Sequence, residues 1–125
     1  MRSLRVIVAD DDRDTVLSLM MLLREEGHDV HGVYSGRTAM DAVKTFDPDA
    51  VVLDINLPDL NGWEVARTIR ARRTKQPLLI GISGHYKSGA DKVLARMNGF
   101  DHYLIKPYAP ADVISVLNRL RNTEG

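Results

Sequence analysis

The fold turns on one stretch, "VIVADDD" at residues 6–12. Four apolar residues, Val6 to Ala9, run straight into three adjacent carboxylates, Asp10, Asp11 and Asp12. An unbroken apolar run of this kind suits a strand buried on both faces of a parallel sheet. Carboxylates gathered at its end repel one another, which raises their pKa values and costs folding free energy. A bound cation, or plain contact with water, removes that cost. Which of the two applies bears directly on function.

Outward from this strand the same alternation repeats. Strand-like runs recur at residues 5–9, 28–33, 50–55, 78–83 and 102–105. Between them lie helical periods. Residues 14–26 place Val16, Leu19, Met20 and Leu23 on one face and stop at Gly27. Ser35 caps a second helix carrying Ala39, Met40, Val43 and Phe46, closed by Pro48. Asn61-Gly62 opens a third, with Val65, Ala66 and Ile69 inward. Residues 88–97 form a fourth, stopped by Asn98-Gly99, and a fifth runs from Pro110 with Val113, Val116, Leu117 and Leu120. Five strand–helix repeats predict an α/β fold: a five-stranded parallel sheet with helices on both faces and right-handed crossovers. No linker or repeat interrupts the chain, so residues 1–125 are expected to form a single domain.

Bulk composition narrows the function classes. Seventeen basic residues balance seventeen acidic ones, so no net field draws the chain to nucleic acid or anionic lipid, and no direct nucleic-acid contact is expected. With no cysteine there is neither a disulfide framework nor a thiolate metal site. No apolar run approaches the roughly 20 residues of a membrane span, and "MRSLRVIVADDD" is unlike a signal peptide. The expectation is a cytoplasmic protein without membrane insertion.

In open parallel sheets ligands bind beyond the carboxyl ends of the strands, where strand order reverses. That is where this chain collects its chemistry: Asp10–Asp12 after the first run, Asp54 in the third, Ser83 in the fourth, and Lys106 followed by Pro107 after the fifth. A lone Asp in such a place is ordinarily a helix cap, which suits Asp12 and Asp14. Capping does not require an acid pair, an acid, a hydroxyl and a lysine at four strand ends. Phosphoryl transfer does suit the set. Oxygen ligands without sulfur favour a hard ion such as Mg²⁺. A carboxylate can itself be the nucleophile, and an ammonium and a hydroxyl then compensate the incoming oxygens.

The motifs "VADDD", "VVLDINLPDLNGWE", "ISG" and "KPY" make the chain resemble a response regulator receiver domain over essentially its whole length. The resemblance implies the flavodoxin-like (βα)5 receiver fold, with Asp54 as phosphoacceptor. Asp10, Asp11, Asp54 and the backbone carbonyl of Asn56 would be the ligands of Mg²⁺, or of Mn²⁺ in its place. Ser83 would be the switch hydroxyl, Lys106 the active-site lysine and Tyr103 the aromatic switch. Gly84 stands at a phosphoryl-binding position where alanine is commoner, Pro58 and Gly62 match the loop after the phosphoacceptor, and the Lys106–Pro107 peptide would be cis. Asn56 and His85, each two residues beyond a site residue, would set the phosphoryl lifetime, His85 by hindering water.

The partner implied is a histidine kinase or a histidine phosphotransfer protein, for which Thr15, Ser18, Leu22 and Pro107 are the candidate docking residues. Output would pass to a downstream protein target or an attached domain. The chain would catalyse its own phosphorylation and dephosphorylation and nothing else. The wording from Leu79 to Leu117 is similar to receivers joined to hybrid sensor kinases, so the cytoplasmic portion of a larger sensor is one expected setting and a stand-alone regulator the other.

Other readings fit less well. A flavodoxin-type carrier would put a hydroxyl- and glycine-rich phosphate loop where the three aspartates stand. A haloacid-dehalogenase-type phosphatase wants a second acid where Asn56 stands. No G-x-x-x-x-G-K-[ST] loop is present. Four scattered histidines lack ligand spacing. "RARRTK" at residues 70–75 reads as a solvated helix end, and Trp63 reads as packing.

Overall fold

The computed structural model describes residues 2–84 and 89–124. Strands and helices alternate throughout: β1 (Arg5–Ala9), α1 (Arg13–Glu25), β2 (Asp29–Val33), α2 (Gly36–Phe46), β3 (Ala50–Asp54), α3 (Gly62–Arg70), β4 (Leu78–Ser83), α4 (Gly89–Met97), β5 (His102–Ile105) and α5 (Pro110–Glu124). The strands pair in parallel in the order β2-β1-β3-β4-β5. Strand order therefore reverses between β1 and β3. The carboxyl ends of those two strands flank the crevice in which such sheets hold ligands.

Residues of opposite parity on the inner strands serve two different cores, as the two-residue period of a strand demands. Ile7, Ala9, Val51, Leu53 and Leu79 pack with Ala39 and Val43 of α2, Val65, Ala66 and Ile69 of α3, and Ala95 of α4. Val6, Val8, Ala50, Val52, Ile80 and Ile82 pack with Val16, Leu19 and Leu23 of α1 and Val113, Val116 and Leu117 of α5. With both faces covered, β1 and β3 have no polar side, which explains the unbroken apolar runs. The expected architecture holds.

Element ends follow the capping chemistry. Asp12 is the N-cap of α1, accepting the Asp14 N–H at 3.1 Å, so Asp14 sits in the first turn rather than capping. Ser35 caps α2 by accepting the Thr38 N–H, and the Thr38 hydroxyl answers at the Ser35 N–H. α2 ends at Asp47, in the left-handed region at φ 49°, one residue before Pro48. Gly27 and Gly99, at φ 91° and 103°, follow α1 and α4 as expected.

Two local expectations are corrected. Arg70, in the basic run, is not merely solvated. Its guanidinium donates to Gly99 O (2.8 Å), Pro77 O (2.9 Å), Gln76 Oε1 (3.0 Å) and Asp101 Oδ2 (2.7 Å), tying the end of α3 to the α4–β5 turn. His28 lies outside β2, its N–H donating to Leu23 O at the end of α1 at 3.2 Å. Buried Nδ1 accepts the Leu4 N–H at 3.2 Å, and Arg121 Nη2 of α5 lies 3.0 and 2.9 Å from the two ring nitrogens while donating to Glu26 O.

That contact makes stability depend on pH. Burial, then the Arg121 cation, hold the His28 pKa below the ordinary histidine value, against the smaller pull of Glu26. The folded chain resists protonation of the ring more than the unfolded chain, which takes up the proton below about pH 6.5. The contribution is thus present above that value and lost as pH falls through the folded pKa. His102 is shifted the same way by burial and Arg119. Thermal unfolding from about pH 7.5 to about pH 5.5 should show a falling midpoint, with a distinctly shallower fall in His28→Gln. Equal slopes in the two proteins would remove His28 from the account.

Candidate functional site

Four strand ends deliver the site. Asp10 follows β1 and is buried, its N–H donating to Val33 O at 3.2 Å and its Oδ1 accepting the Asp12 N–H at 2.9 Å. Asp54 ends β3 and is also buried, with Oδ1 accepting the Asn56 N–H at 2.9 Å. Lys106 follows β5, anchored by its N–H to Ser83 O at 2.8 Å, and its ammonium lies 2.9 Å from Asp54 Oδ2 and 3.3 Å from Asp10 Oδ2. Ser83 ends β4 and is buried. The peptide between Lys106 and Pro107 is cis, as the resemblance implied.

The carboxylates of Asp10, Asp11 and Asp54 each offer an oxygen within 4.8 Å of the others. Asp12 does not join them: its Oδ1 caps α1, and its Oδ2 accepts the Thr15 hydroxyl at 2.8 Å. The Thr15 hydroxyl bond, helped by backbone N–H groups and the Lys106 charge, outweighs the opposing effect of burial and holds the Asp12 carboxyl below the usual carboxylate range. The opening triad thus divides into two acids that face the pocket and one that caps a helix.

Electrostatics match this division. Burial raises the Asp10 pKa, and the nearby Asp54 carboxylate adds to the rise, against the lowering by the Asp12 N–H and Lys106. Burial alone would lower the Lys106 pKa, but its bond to Asp54 and the attraction of Asp54 and Asp10 outweigh it, so the ammonium is held charged. One cation faces several acids. Hard oxygen donors, two of them on buried residues, fit a hard divalent ion that would complete the neutralisation.

The loop from β3 to α3 leaves the pocket in a tight closure. Asn56 bridges Asn61 in antiparallel fashion, and the Gly62 N–H donates to Ile55 O at 2.7 Å. A Cβ on Gly62 would lie 2.5 Å from Ile55 Cα, so only glycine permits the approach. At Gly84 the case differs: a Cβ there would meet Lys106 Cδ at 3.8 Å, an ordinary contact, so space does not demand glycine.

Tyr103 is half-buried and stacks on Trp63, centroids 6.4 Å apart at 21°, while Trp63 meets Phe100 edge-on at 5.7 Å. Trp63 is therefore packing, as expected. Thr15, Ser18 and Pro107 line one open groove of about 570 Å³ with Asp12, Lys106 and Tyr108. Leu22, half-buried, lies a turn farther along α1 and does not line it. His85 lies outside the described residues. The sequence reading missed Tyr108, a half-buried phenol whose pKa is raised by burial and by Asp10; its place directly after "KP" was the available signal.

Comparisons with known proteins agree with this geometry. The family model described as a response regulator receiver domain matches residues 6–118. The cell cycle response regulator CtrA of Brucella ovis is 34% identical over 125 residues, covering 98% of this chain and 52% of the relative, and that of Brucella abortus matches equally. The chain thus spans about half the length of the curated relatives it matches. Among solved structures, the receiver domain of the Francisella response regulator 1452 superposes with a TM-score of 0.90 at 26% identity, covering 98% of this chain and all of the other. The chemotaxis response regulator CheY4 of Vibrio cholerae shares the fold, with a TM-score of 0.85 at 22% identity over 95% and 99% of the two chains.

A cation seated on Asp10, Asp11 and Asp54 would bind the folded chain alone. Mg²⁺ at ten times its dissociation constant should then add about 1.4 kcal/mol of stability. Asp11→Ala should lose most of that gain without a fall in its metal-free midpoint, because a repelling charge has gone with the ligand. Thermal unfolding with and without Mg²⁺ checks both, and an undiminished Mg²⁺ effect in the variant would contradict the site.

Proposed function

The chain belongs to the response regulator receiver family, and on that premise we propose that it takes a phosphoryl group from a phosphohistidine onto Asp54. The observation that carries this reading is the buried Asp54 carboxylate, bonded to the Lys106 ammonium and within 4.8 Å of the oxygens of Asp10 and Asp11. Asp54 forms the new P–O bond as the P–N bond breaks, and the imidazole nitrogen of the donor leaves with the electron pair. Asp10, Asp11, Asp54 and the Asn56 carbonyl would hold Mg²⁺, or Mn²⁺ in its place, which would supply charge neutralisation for the phosphoryl oxygens. Lys106, Ser83 and the open space at Gly84 receive those oxygens.

The same residues account for signalling. Ser83 and Lys106 follow the added phosphoryl oxygens, and Tyr103 moves into the space that Ser83 leaves, which biases the face of α4, β5 and α5 between two states. Asn56 and His85 border the approach of water and set how long the phosphoryl group survives. The chain turns over its own phosphate and no other substrate. It acts as a single domain over residues 1–125 in the cytoplasm, passing the signal to a downstream protein or an attached domain. No helix among the described residues is long and apolar enough to cross a membrane.

The donor is a histidine kinase or a histidine phosphotransfer protein. Its helix docks in the groove lined by Thr15, Ser18 and Pro107, next to Lys106, with Leu22 extending the contact along α1. This position lays the donor imidazole toward the acidic pocket.

Two experiments test the reading. Incubation with Mg²⁺ and acetyl phosphate should add one phosphoryl mass, and Asp54→Asn should not acquire it; labelling of that variant at the unmodified rate would sink the assignment. Ser18→Arg should slow transfer from a phosphorylated histidine partner at least tenfold while leaving acetyl-phosphate labelling unchanged. Parallel loss of both activities would place Ser18 in the fold rather than in docking.

A further inference from the structure

Asp59 lies midway along the loop that leaves the phosphoacceptor, and none of the site chemistry above uses it. Both of its carboxylate oxygens are engaged nonetheless. Oδ1 accepts the Gly36 N–H at 2.7 Å and the Leu60 N–H at 3.0 Å, and Oδ2 accepts the Arg37 N–H at 3.0 Å. Gly36 and Arg37 are the first two residues of α2, whose Ser35 cap serves the next donor, Thr38 N–H. The first turn of α2 carries no acid of its own. A carboxylate from another element therefore satisfies two orphan donors and meets the positive end of the helix dipole. Those backbone bonds hold the Asp59 carboxyl below the usual carboxylate range.

The approach is close as well as bonded. A Cβ on Gly36 would stand 2.6 Å from Leu60 Cβ and 3.3 Å from Asp59 Oδ1, so glycine at the start of α2 is what admits the loop. The loop is consequently held at two places. Its base is closed by the Asn56–Asn61 bridge and the Gly62 to Ile55 bond, and its tip is clamped to α2 by Asp59. Asn56, whose carbonyl the proposed metal site uses, is itself part of the base anchor, three residues before the clamp. A loop closed at its base and clamped at its tip leaves that carbonyl little freedom to turn away.

We propose that Asp59 is a positioning residue: by clamping the loop onto the N-terminus of α2, it holds the Asn56 carbonyl in place for the divalent cation. The inference rests on the metal reading above. Outer partners that orient metal ligands typically change metal affinity about 10- to 100-fold when removed. A backbone ligand held through a loop belongs at the lower end of that range.

The test compares Mg²⁺ affinity by calorimetric titration, metal-free thermal unfolding, and the Mg²⁺ dependence of acetyl-phosphate labelling. Asp59→Ala should weaken Mg²⁺ binding roughly tenfold, and its slowed labelling should recover at saturating Mg²⁺. Asp59→Asn keeps one acceptor oxygen and should lie between the two. Gly36→Ala leaves every charge in place, wedges the clamp from the α2 side, and should weaken Mg²⁺ binding in the same sense. A lowered metal-free midpoint with unchanged Mg²⁺ affinity in Asp59→Ala would make Asp59 a simple helix cap and overturn the proposal. Equal weakening in Asp59→Asn and Asp59→Ala, with Gly36→Ala unaffected, would trace the effect to lost charge and overturn it too. Failure of the unmodified chain to bind Mg²⁺ would instead strike the metal reading itself.

Discussion

The arrangement of this molecule follows from one electrostatic constraint: carboxylates at the ends of two adjacent buried strands must be held together. Asp10 and Asp54 are buried, and like charges at short range in a poorly hydrated crevice repel strongly. Lys106 answers part of that repulsion, with its ammonium 2.9 Å from one acid and 3.3 Å from the other. The acids are buried while the lysine stays partly exposed, and backbone N–H groups of Asp12 and Asn56 bond the acids' other oxygens. The site is held under charge excess, which an entering cation would relieve.

The rest of the fold keeps that arrangement in register. Strand order puts β1 and β3 side by side, although α1, β2 and α2 lie between them in sequence. Each face of the sheet has its own core, so the strands carrying the acids are gripped from both sides. The loops above are then free to specialise. Thr15 pins Asp12 to the helix it caps, and the glycine at 62 lets the chain double back against Ile55.

Much of this was legible in the sequence because the signals were periodic or chemically unusual. Continuous apolar runs marked the doubly covered strands, and Ser35, Gly27 and Gly99 marked helix ends. The pocket residues Asp10, Asp11, Asp54, Ser83 and Lys106 stood out as different chemical types at successive strand ends. What stayed hidden depended on contacts across long sequence gaps. Arg70 reads as one more cation in a basic run, yet it bonds to Gly99 and Asp101. His28 reads as the first residue of a strand, yet Leu4 and Arg121 converge on its ring. Leu22 shares a helix with Thr15 and Ser18 but not their groove, since a turn of helix carries it away from β5. No local pattern marks the Asp59 clamp, since its partners in α2 are 23 and 22 residues earlier in the chain.

The place of Lys106 in the chain has a consequence for biosynthesis. As the polypeptide leaves the ribosome, both buried acids are made long before β5, the strand that delivers the ammonium. Chains emerge amino end first and domains settle as units. A nascent segment ending before His102 would hold its acids with no Lys106 to offset them, so the crevice between β1 and β3 has reason to stay open. Arrival of the fifth strand supplies the counter-charge and, through Lys106 N–H on Ser83 O, joins the last strand to its neighbour. Completion of the sheet and arrival of the counter-charge thus come in a single step.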